Sequence, residues 1–313
     1  MNKEKEFISI INKILNKTSM DNILIGIGDD AAITTKNIDN NLVICSDSIV
    51  EGVHFSNKYY EFEDIGWKSL SVNISDLASM GAIPNYYTVS IGAPKNLSND
   101  NFTKLIEGMK KCCDTYGGSI VGGDIVLSNQ LFISVSATGR LISQKYMTRD
   151  AAKEGEKIAV TGNLGDSLGG FNLLKNNFDN EYLTNKHLRP TPKINQSKDL
   201  VLSGVNCCMD ISDGLHNDLL NLSKKSNVGI HVDVEKIPIS EDLIKEFPNT
   251  FLDIAINGGE DYELLFTFDE TKIELPFEYY VIGTVIKKNS VEISYKKNNK
   301  EYYPNLDAWS HFE

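Results

Sequence analysis

The sequence predicts an α/β (or α+β) protein built from two domains, and three observations carry that prediction. The chain has 313 residues, more than one hydrophobic core usually holds. Short apolar runs of strand-like spacing alternate with stretches whose apolar residues recur at helical spacing. The texture changes between Arg140 and Glu156, a polar stretch ending in the turn Lys153-Glu154-Gly155-Glu156. The domains expected are therefore 1–140 and 141–313.

Taken in order, Glu6–Leu15 has helical spacing and Leu42–Cys45 reads as a short buried strand. Apolar residues at 65, 67, 70, 74 and 77 predict a helix over Asp64–Met80, stopped by Gly81. Tyr86–Ile91 is strand-like and is closed by Gly92 and Pro94. Ser98 is a candidate N-cap for a helix over Asn101–Tyr116. Ser119–Val121 and Leu131–Ala137 are strand candidates, the second with alternating apolar positions. Beyond the boundary come a strand at Lys157–Val160 and a glycine-rich turn into helix across Thr161–Lys175. A helix at about 194–203, a strand at 205–209 and a helix at 215–225 follow, then strands near 229–234, 262–268 and 279–285.

Composition narrows the function. A net charge of −12 argues against non-specific binding to nucleic acid or to an anionic membrane. No apolar run approaches the roughly 18–20 residues that span a bilayer. The charged start Met1-Asn2-Lys3-Glu4-Lys5 is unlike a signal peptide. The five cysteines (Cys45, Cys112, Cys113, Cys207, Cys208) lack metal or redox spacing and read as reduced thiols of a cytoplasmic protein.

One arrangement recurs: an apolar run, a Gly or Ser, then an aspartate. It appears at Gly28-Asp29-Asp30, Ser46-Asp47, Ser75-Asp76, Gly123-Asp124, Asp210-Ile211-Ser212-Asp213 and Gly259-Glu260-Asp261. Singly, each has an ordinary explanation, such as a tight turn, a helix cap or a solvated acid. Asp76 is harder to dismiss, because it interrupts an apolar helix pattern. Gly122-Gly123-Asp124 ends a strand with a backbone that a phosphate could approach, and Asp210 and Asp213 precede a helix N-terminus that favours anions. So many acids at the ends of buried elements need cations. The chain has only the arginines Arg140, Arg149 and Arg189. Bound Mg²⁺, shared between carboxylates and a phosphate substrate, answers that need.

The segments GIGDDAA, SDSIVEGVHF, SVNISDLASMGA, GGD, Met147-Thr148-Arg149, HLRPTP, MDISDG and GGEDYEL occur in the order found in thiamine-monophosphate kinases, and the ending Ala308-Trp309-Ser310-His311-Phe312 is similar to theirs. The resemblance runs from about residue 20 to the C-terminus. It implies the two-domain fold of the aminoimidazole ribonucleotide synthetase superfamily, with an N-terminal α/β domain that pairs in a homodimer sheet and a C-terminal α/β domain. It further implies ATP-dependent phosphorylation of thiamine monophosphate to thiamine diphosphate, the last step in making that cofactor. Transfer would be direct and in line, with several Mg²⁺ ions.

Carried over by position, the resemblance makes Asp30, Ser46, Asp47, Asp76, Asp124, Asp210 and Asp213 metal ligands, with Asp47 and Asp124 the acids on which activity most depends. Gly123, Asp124, Arg149 and Ser212 fall on ATP-contacting positions. His54, Glu260 and Trp309 fall on positions facing the thiamine phosphate. Cys45 stands where the family often has Ser or Thr, and Ser310 replaces a common Asp. Tyr116 reads as core packing, and His187 and Arg189 receive no role. The competing readings are another ATP-dependent synthetase of the superfamily or a non-catalytic nucleotide- or metal-binding module. A selenophosphate synthetase would carry a reactive residue near its start, and a hydrogenase-maturation enzyme a C-terminal cysteine. Neither pattern is present.

Overall fold

A computed structural model describes residues 23–25, 32–35, 41–288 and 292–306. The expected helix at Glu6–Leu15, Asp30 and Trp309 lie outside the described residues. The chain builds two sheets, each with its own core. The first comprises β1 (Ile23–Ile25), β2 (Ala32–Thr35), β3 (Asn41–Val50), β4 (Ala82–Ala93), β5 (Ser119–Leu127) and β6 (Phe132–Leu141) in the order β1-β2-β3-β6-β4-β5. All neighbours are antiparallel except β4 and β5, which run parallel and are joined by helix α2 (Asn99–Tyr116). A parallel pair needs such a crossover. Ser98 caps α2 as expected, its side chain accepting from Asn101 N.

Strands here outrun their sequence signals. The short strand expected at Leu42–Cys45 is ten residues long, and Asp47 lies inside β3 rather than at its end. Gly122-Gly123-Asp124 likewise sits within β5 instead of ending it. The cause is pairing: β3 is held by β6 along its length, from Leu42↔Arg140 to Val50↔Phe132. Ladder hydrogen bonds carry polar residues through a strand that their propensity would break.

Helix α1 (Phe62–Ser79) lies across the inner face of this sheet, against β3 and β6, α2, and elements of the second half. It is buried nearly all round, yet it carries Ser69, Ser71, Asn73 and Ser75. Small residues permit close approach, and their polar atoms are satisfied locally: Ser69 Oγ donates to Gly66 O at 2.8 Å and Asn73 Nδ2 to Ser69 O at 3.1 Å.

The second sheet contains β7 (Lys157–Val160), β8 (Cys207–Asp210), β9 (Gly229–Asp233), β10 (Leu264–Phe268), β11 (Tyr280–Ile286), β12 (Ile293–Lys297) and β13 (Lys300–Tyr302), in the order β13-β12-β9-β11-β7-β10-β8. Ile158, Val160, Met209, Leu265 and Ile282 pack on one face, and Ala159, Cys208, Leu264 and Phe266 on the other. Burial of both faces explains why these strands read as continuous apolar runs. Helices α3 (Asp166–Lys175), α4 (Glu181–Leu188), α5 (Ile194–Ser203), α6 (Leu215–Ser226), α7 (Glu241–Glu246) and α8 (Phe251–Asn257) surround it. Of these, α4, α7 and α8 gave no sequence signal, being only six to eight residues long.

Candidate active site

The site forms where α1 meets β3 on one side and β8 on the other. Asn73 Oδ1 accepts from Asp47 N at 3.0 Å, which fixes β3 against the helix beside Asp76. Ser75 Oγ donates to Asp210 Oδ2 at 2.5 Å, tying the same helix to the end of β8. Asp47, Asp76 and Asp210 thereby converge from three elements. Burial, and then the charges of Asp210 and Asp213, push the Asp47 carboxyl up from 3.8 to about 6. Burial followed by Asp47 and Asp210 holds Asp76 well above the ordinary carboxylate range. Asp210 is also raised by burial, while the Ser75 hydroxyl and the Arg149 charge pull it back.

Among the described residues, no group of three or more His, Cys, Asp or Glu is arranged to enclose a metal by itself. The donor set nevertheless fits a hard divalent cation completed by water and phosphate oxygens. Asp47 and Asp76 are close enough to share a proton in a hydrogen bond, a place that a cation fills better.

The turn after β8 supplies Ser212 and Asp213. Asp218, in the first turn of α6 and almost fully buried, reaches back and accepts from Ser212 N (3.1 Å) and Asp213 N (3.2 Å). This turn is clasped to the GGEDYE loop by backbone bonds: Glu260 N donates to Ser212 O (2.9 Å), Tyr262 N to Ile211 O (3.0 Å) and Ile211 N to Glu263 O (2.9 Å). Gly259 makes the approach possible, because a Cβ there would stand 2.4 Å from Ser212 O. Glu260 (φ 63°) and Tyr262 (φ 52°) take left-handed backbone, a strain that tends to concentrate at functional sites.

The three acids of that loop have separate partners. Glu260 pairs with Lys68 Nζ at 2.9 Å. Asp261 accepts from Gly165 N (2.6 Å) and Ser167 N (3.1 Å), capping α3. Glu263 binds Lys193 (2.7 Å) and the Thr161 hydroxyl (2.6 Å). His54 sits in the turn after β3, where its Nδ1 accepts from Val50 N at 3.1 Å. Its Nε2 therefore carries the proton in the neutral ring. The HLRPTP segment anchors the second half on α1: Arg189 pairs with Glu63 and Asp64, and Trp67 Nε1 donates to Pro190 O at 2.9 Å. Tyr116 packs edge-on against Trp67.

Of the expected site residues, the structure brings together Asp47, Asp76, Asp210 and the turn of Ser212 and Asp213, with the charge of Arg149 acting on Asp210. Two others stand apart. Ser46 is adjacent to Asp47 on a strand, so its side chain emerges on the opposite face, where Oγ donates to Val135 O at 2.9 Å. Its hydroxyl thus does not share a ligand position with the Asp47 carboxylate. Asp124 lies on the exposed edge strand β5, its Oδ1 accepting from Ile125 N, and it is not among the acids that act on Asp47. Cys45 turns its thiol to Asn73 O at 3.4 Å, so it presents no oxygen from its side chain. Sequence reasoning missed Lys68, Asn73, Ser75 and Asp218. Their signal was weak but present, since each is a polar residue at an apolar-phase position of a helix or next to a motif acid.

This two-sheet architecture and its acid cluster define the class. Residues 28–141 match the family AIR synthase related protein, N-terminal domain, and residues 153–296 match AIR synthase related protein, C-terminal domain. The chain is 31% identical over 321 residues to the thiamine-monophosphate kinase of Bacillus subtilis, covering 97% of this chain and 98% of the relative. It is 39% identical over 279 residues to that of Buchnera aphidicola from Acyrthosiphon pisum, covering 87% and 84%. The solved structure of AaThiL complexed with AMPPCP and TMP superposes with a TM-score of 0.86 at 32% identity, covering 99% of this chain and 97% of that one. The hydrogenase maturation protein HypE, at 17% identity and a TM-score of 0.72 over 87% and 91%, shares the fold alone. The chain belongs to the thiamine-monophosphate kinase family.

Proposed function

We propose that the protein transfers the γ-phosphoryl group of ATP to thiamine monophosphate, giving thiamine diphosphate and ADP. The observation that carries this reading is the clasp: it joins the acid turn of Asp210–Asp213 directly to the loop of Glu260. A polyphosphate held by the acids and a cationic substrate held by Glu260 would then meet on one rigid unit. The relative AaThiL, complexed with AMPPCP and TMP, supports the same pair of ligands.

Asp47, Asp76 and Asp210 are the residues that would hold Mg²⁺, with Asp213 beside them, and the family resemblance adds Asp30 to the set. A divalent cation held by these carboxylates would supply positive charge to offset that developing on the transferred phosphoryl group. The chain's own part is positioning. Asn73 and Ser75 orient Asp47 and Asp210, and the positive charge of Arg149 acts on Asp210. Gly123 and Ser212 offer backbone to the nucleotide. The Nε2–H of His54 would donate to the substrate phosphate. Glu260 would face the thiazolium or aminopyrimidine. Trp309 would stack on it, and the bond from Asn257 Nδ2 to Asn305 O (2.8 Å) holds the chain near that loop just before the tail begins. The acceptor is already an anion, so no strong base is required, and direct in-line transfer follows.

The working unit is a homodimer. Every residue of β5 is exposed, including Val121 at 58%, Ile125 at 62% and Leu127 at 77%. An open apolar edge strand is a hazard that a second copy of this chain would cover. No described helix is long and apolar enough to cross a membrane, and the five free thiols suit a reducing cytoplasm.

The test is direct. Purified protein is incubated with Mg·ATP and either thiamine monophosphate or free thiamine, and the thiamine phosphates are separated. Diphosphate should appear from the monophosphate alone and should vanish on chelation of Mg²⁺. ATP binding without product in either tube would leave only a binding module.

A further inference from the structure

The substrate end of the site holds an ion pair whose buried cation has no part in the mechanism above. Lys68 on α1 is 0% exposed, and its ammonium has three acceptors within reach: Glu260 Oε2 at 2.9 Å, the Tyr60 hydroxyl at 2.9 Å and His54 O at 3.4 Å. Three donors with three acceptors is full satisfaction for an ammonium, which is what a buried lysine needs to stay charged. The pair also crosses the molecule, from the first half to the loop after α8 in the second.

The ionisable groups facing Glu260 are Lys68 and His54, Tyr59 and Tyr60, Tyr262, and His187 of α4. His187 Nδ1 lies 3.5 Å from the same Oε2 and 3.1 Å from Ser167 Oγ, with its ring packed against Tyr60 and Phe171. Burial, and next the charge of Lys68, push His187 down to about 3, so it stays neutral. Burial alone would raise the Glu260 carboxyl, but the Lys68 charge brings it below its ordinary value. A carboxylate offers about four lone-pair directions, so one taken by Lys68 leaves others for a ligand.

We propose that Lys68 is a positioning residue that keeps the Glu260 carboxylate ionised and aimed at the cationic ring of the substrate. The inference rests on Glu260 being the residue that faces that ring. Lys68 itself touches neither substrate nor phosphate; it acts through Glu260, across the two halves of the chain.

The experiment compares Lys68→Met, Glu260→Gln and the double variant in the full-length enzyme. KM and kcat for thiamine monophosphate are measured from pH 6 to 9, with a thermal melt on each protein. Lys68→Met should raise KM about 10-fold at pH 6 and about 3-fold or less at pH 9, with kcat changing far less. The pH trend follows because Glu260, without its cation, is raised by burial, takes up a proton more readily, and regains its charge as pH rises. Glu260→Gln should raise KM at every pH, and adding Lys68→Met to it should raise KM no further. A KM increase for Lys68→Met that is the same at all pH, or that multiplies with that of Glu260→Gln, overturns the proposal and leaves the role of Glu260 intact. An unchanged KM in Glu260→Gln overturns the underlying reading, and the proposal with it. Removing one partner of a buried pair is the costly case, whereas the double variant leaves no lone charge. Should Lys68→Met not fold, Lys68→Gln keeps a donor to Glu260 but removes the charge, and it should show the same larger rise in KM at pH 6 than at pH 9; a rise that is equal at all pH overturns the proposal.

Discussion

Asp47 illustrates what a single residue contributes and costs. It sits inside a strand, beside two other acids, with its carboxyl held at about 6 by burial and by Asp210. The folded protein therefore binds this proton more tightly than the unfolded chain does. Its contribution to stability is unfavourable above the unfolded value of 3.8, grows as pH rises through about 6, and is constant beyond. Asp47→Asn removes the charge, so the metal-free variant should be more stable than wild type at pH 7.5 by up to about 3 kcal/mol. The gain should disappear below pH 4, and activity should fall by about 100-fold or more. Equal urea midpoints for the two proteins at pH 7.5 and pH 4 would contradict this account, as would full activity in the variant.

Among the elements, the clasp between the β8–α6 turn and the GGEDYE loop matters most, because it couples two motifs that lie about fifty residues apart in sequence. Gly259→Ala would drive a methyl group to 2.4 Å from Ser212 O and force the loops apart. A stability loss of about 1–3 kcal/mol is expected, read from the denaturation midpoint. The functional loss should be larger, with kcat/KM lowered more than 10-fold, because nucleotide and substrate contacts are displaced together. If the variant loses stability but keeps its kcat/KM, the clasp is scaffolding only. Helix α1 works at the same scale: one helix carries Asn73, Ser75, Asp76 and Lys68, so a single rigid body orients both ends of the site.

Over the whole molecule, the two sheets differ in what they leave uncovered. The second is buried on both faces, whereas the first ends in β5, exposed along its length and rich in Ile and Val. Val121→Lys with Ile125→Lys should convert a dimer to a monomer without unfolding the chain, as measured by sedimentation equilibrium. A wild-type protein that is already monomeric at micromolar concentration would remove the basis for the dimer.

Much of this protein was determined by the sequence alone. Local propensity and apolar spacing specify α1, α2, α5 and α6 within a residue or two, together with the buried strands of the second half, because those signals act over a few neighbours. The recurring Gly/Ser-Asp motif also named Asp47, Asp76 and Asp210, since a buried acid stands out chemically wherever it occurs. Only the tertiary structure decided that Ser46 and Asp47 face opposite ways, that the GGD segment runs through an edge strand, and that Lys68 lies under Glu260. The reason is physical: strand length and side-chain face are set by pairing with distant strands. A buried charge, in the same way, finds its partner through packing rather than through proximity in the chain. The last of the repeated motifs, Gly259-Glu260-Asp261, divides along that line, its acids visible in the sequence and their partners Lys68 and the α3 N-terminus supplied by the fold.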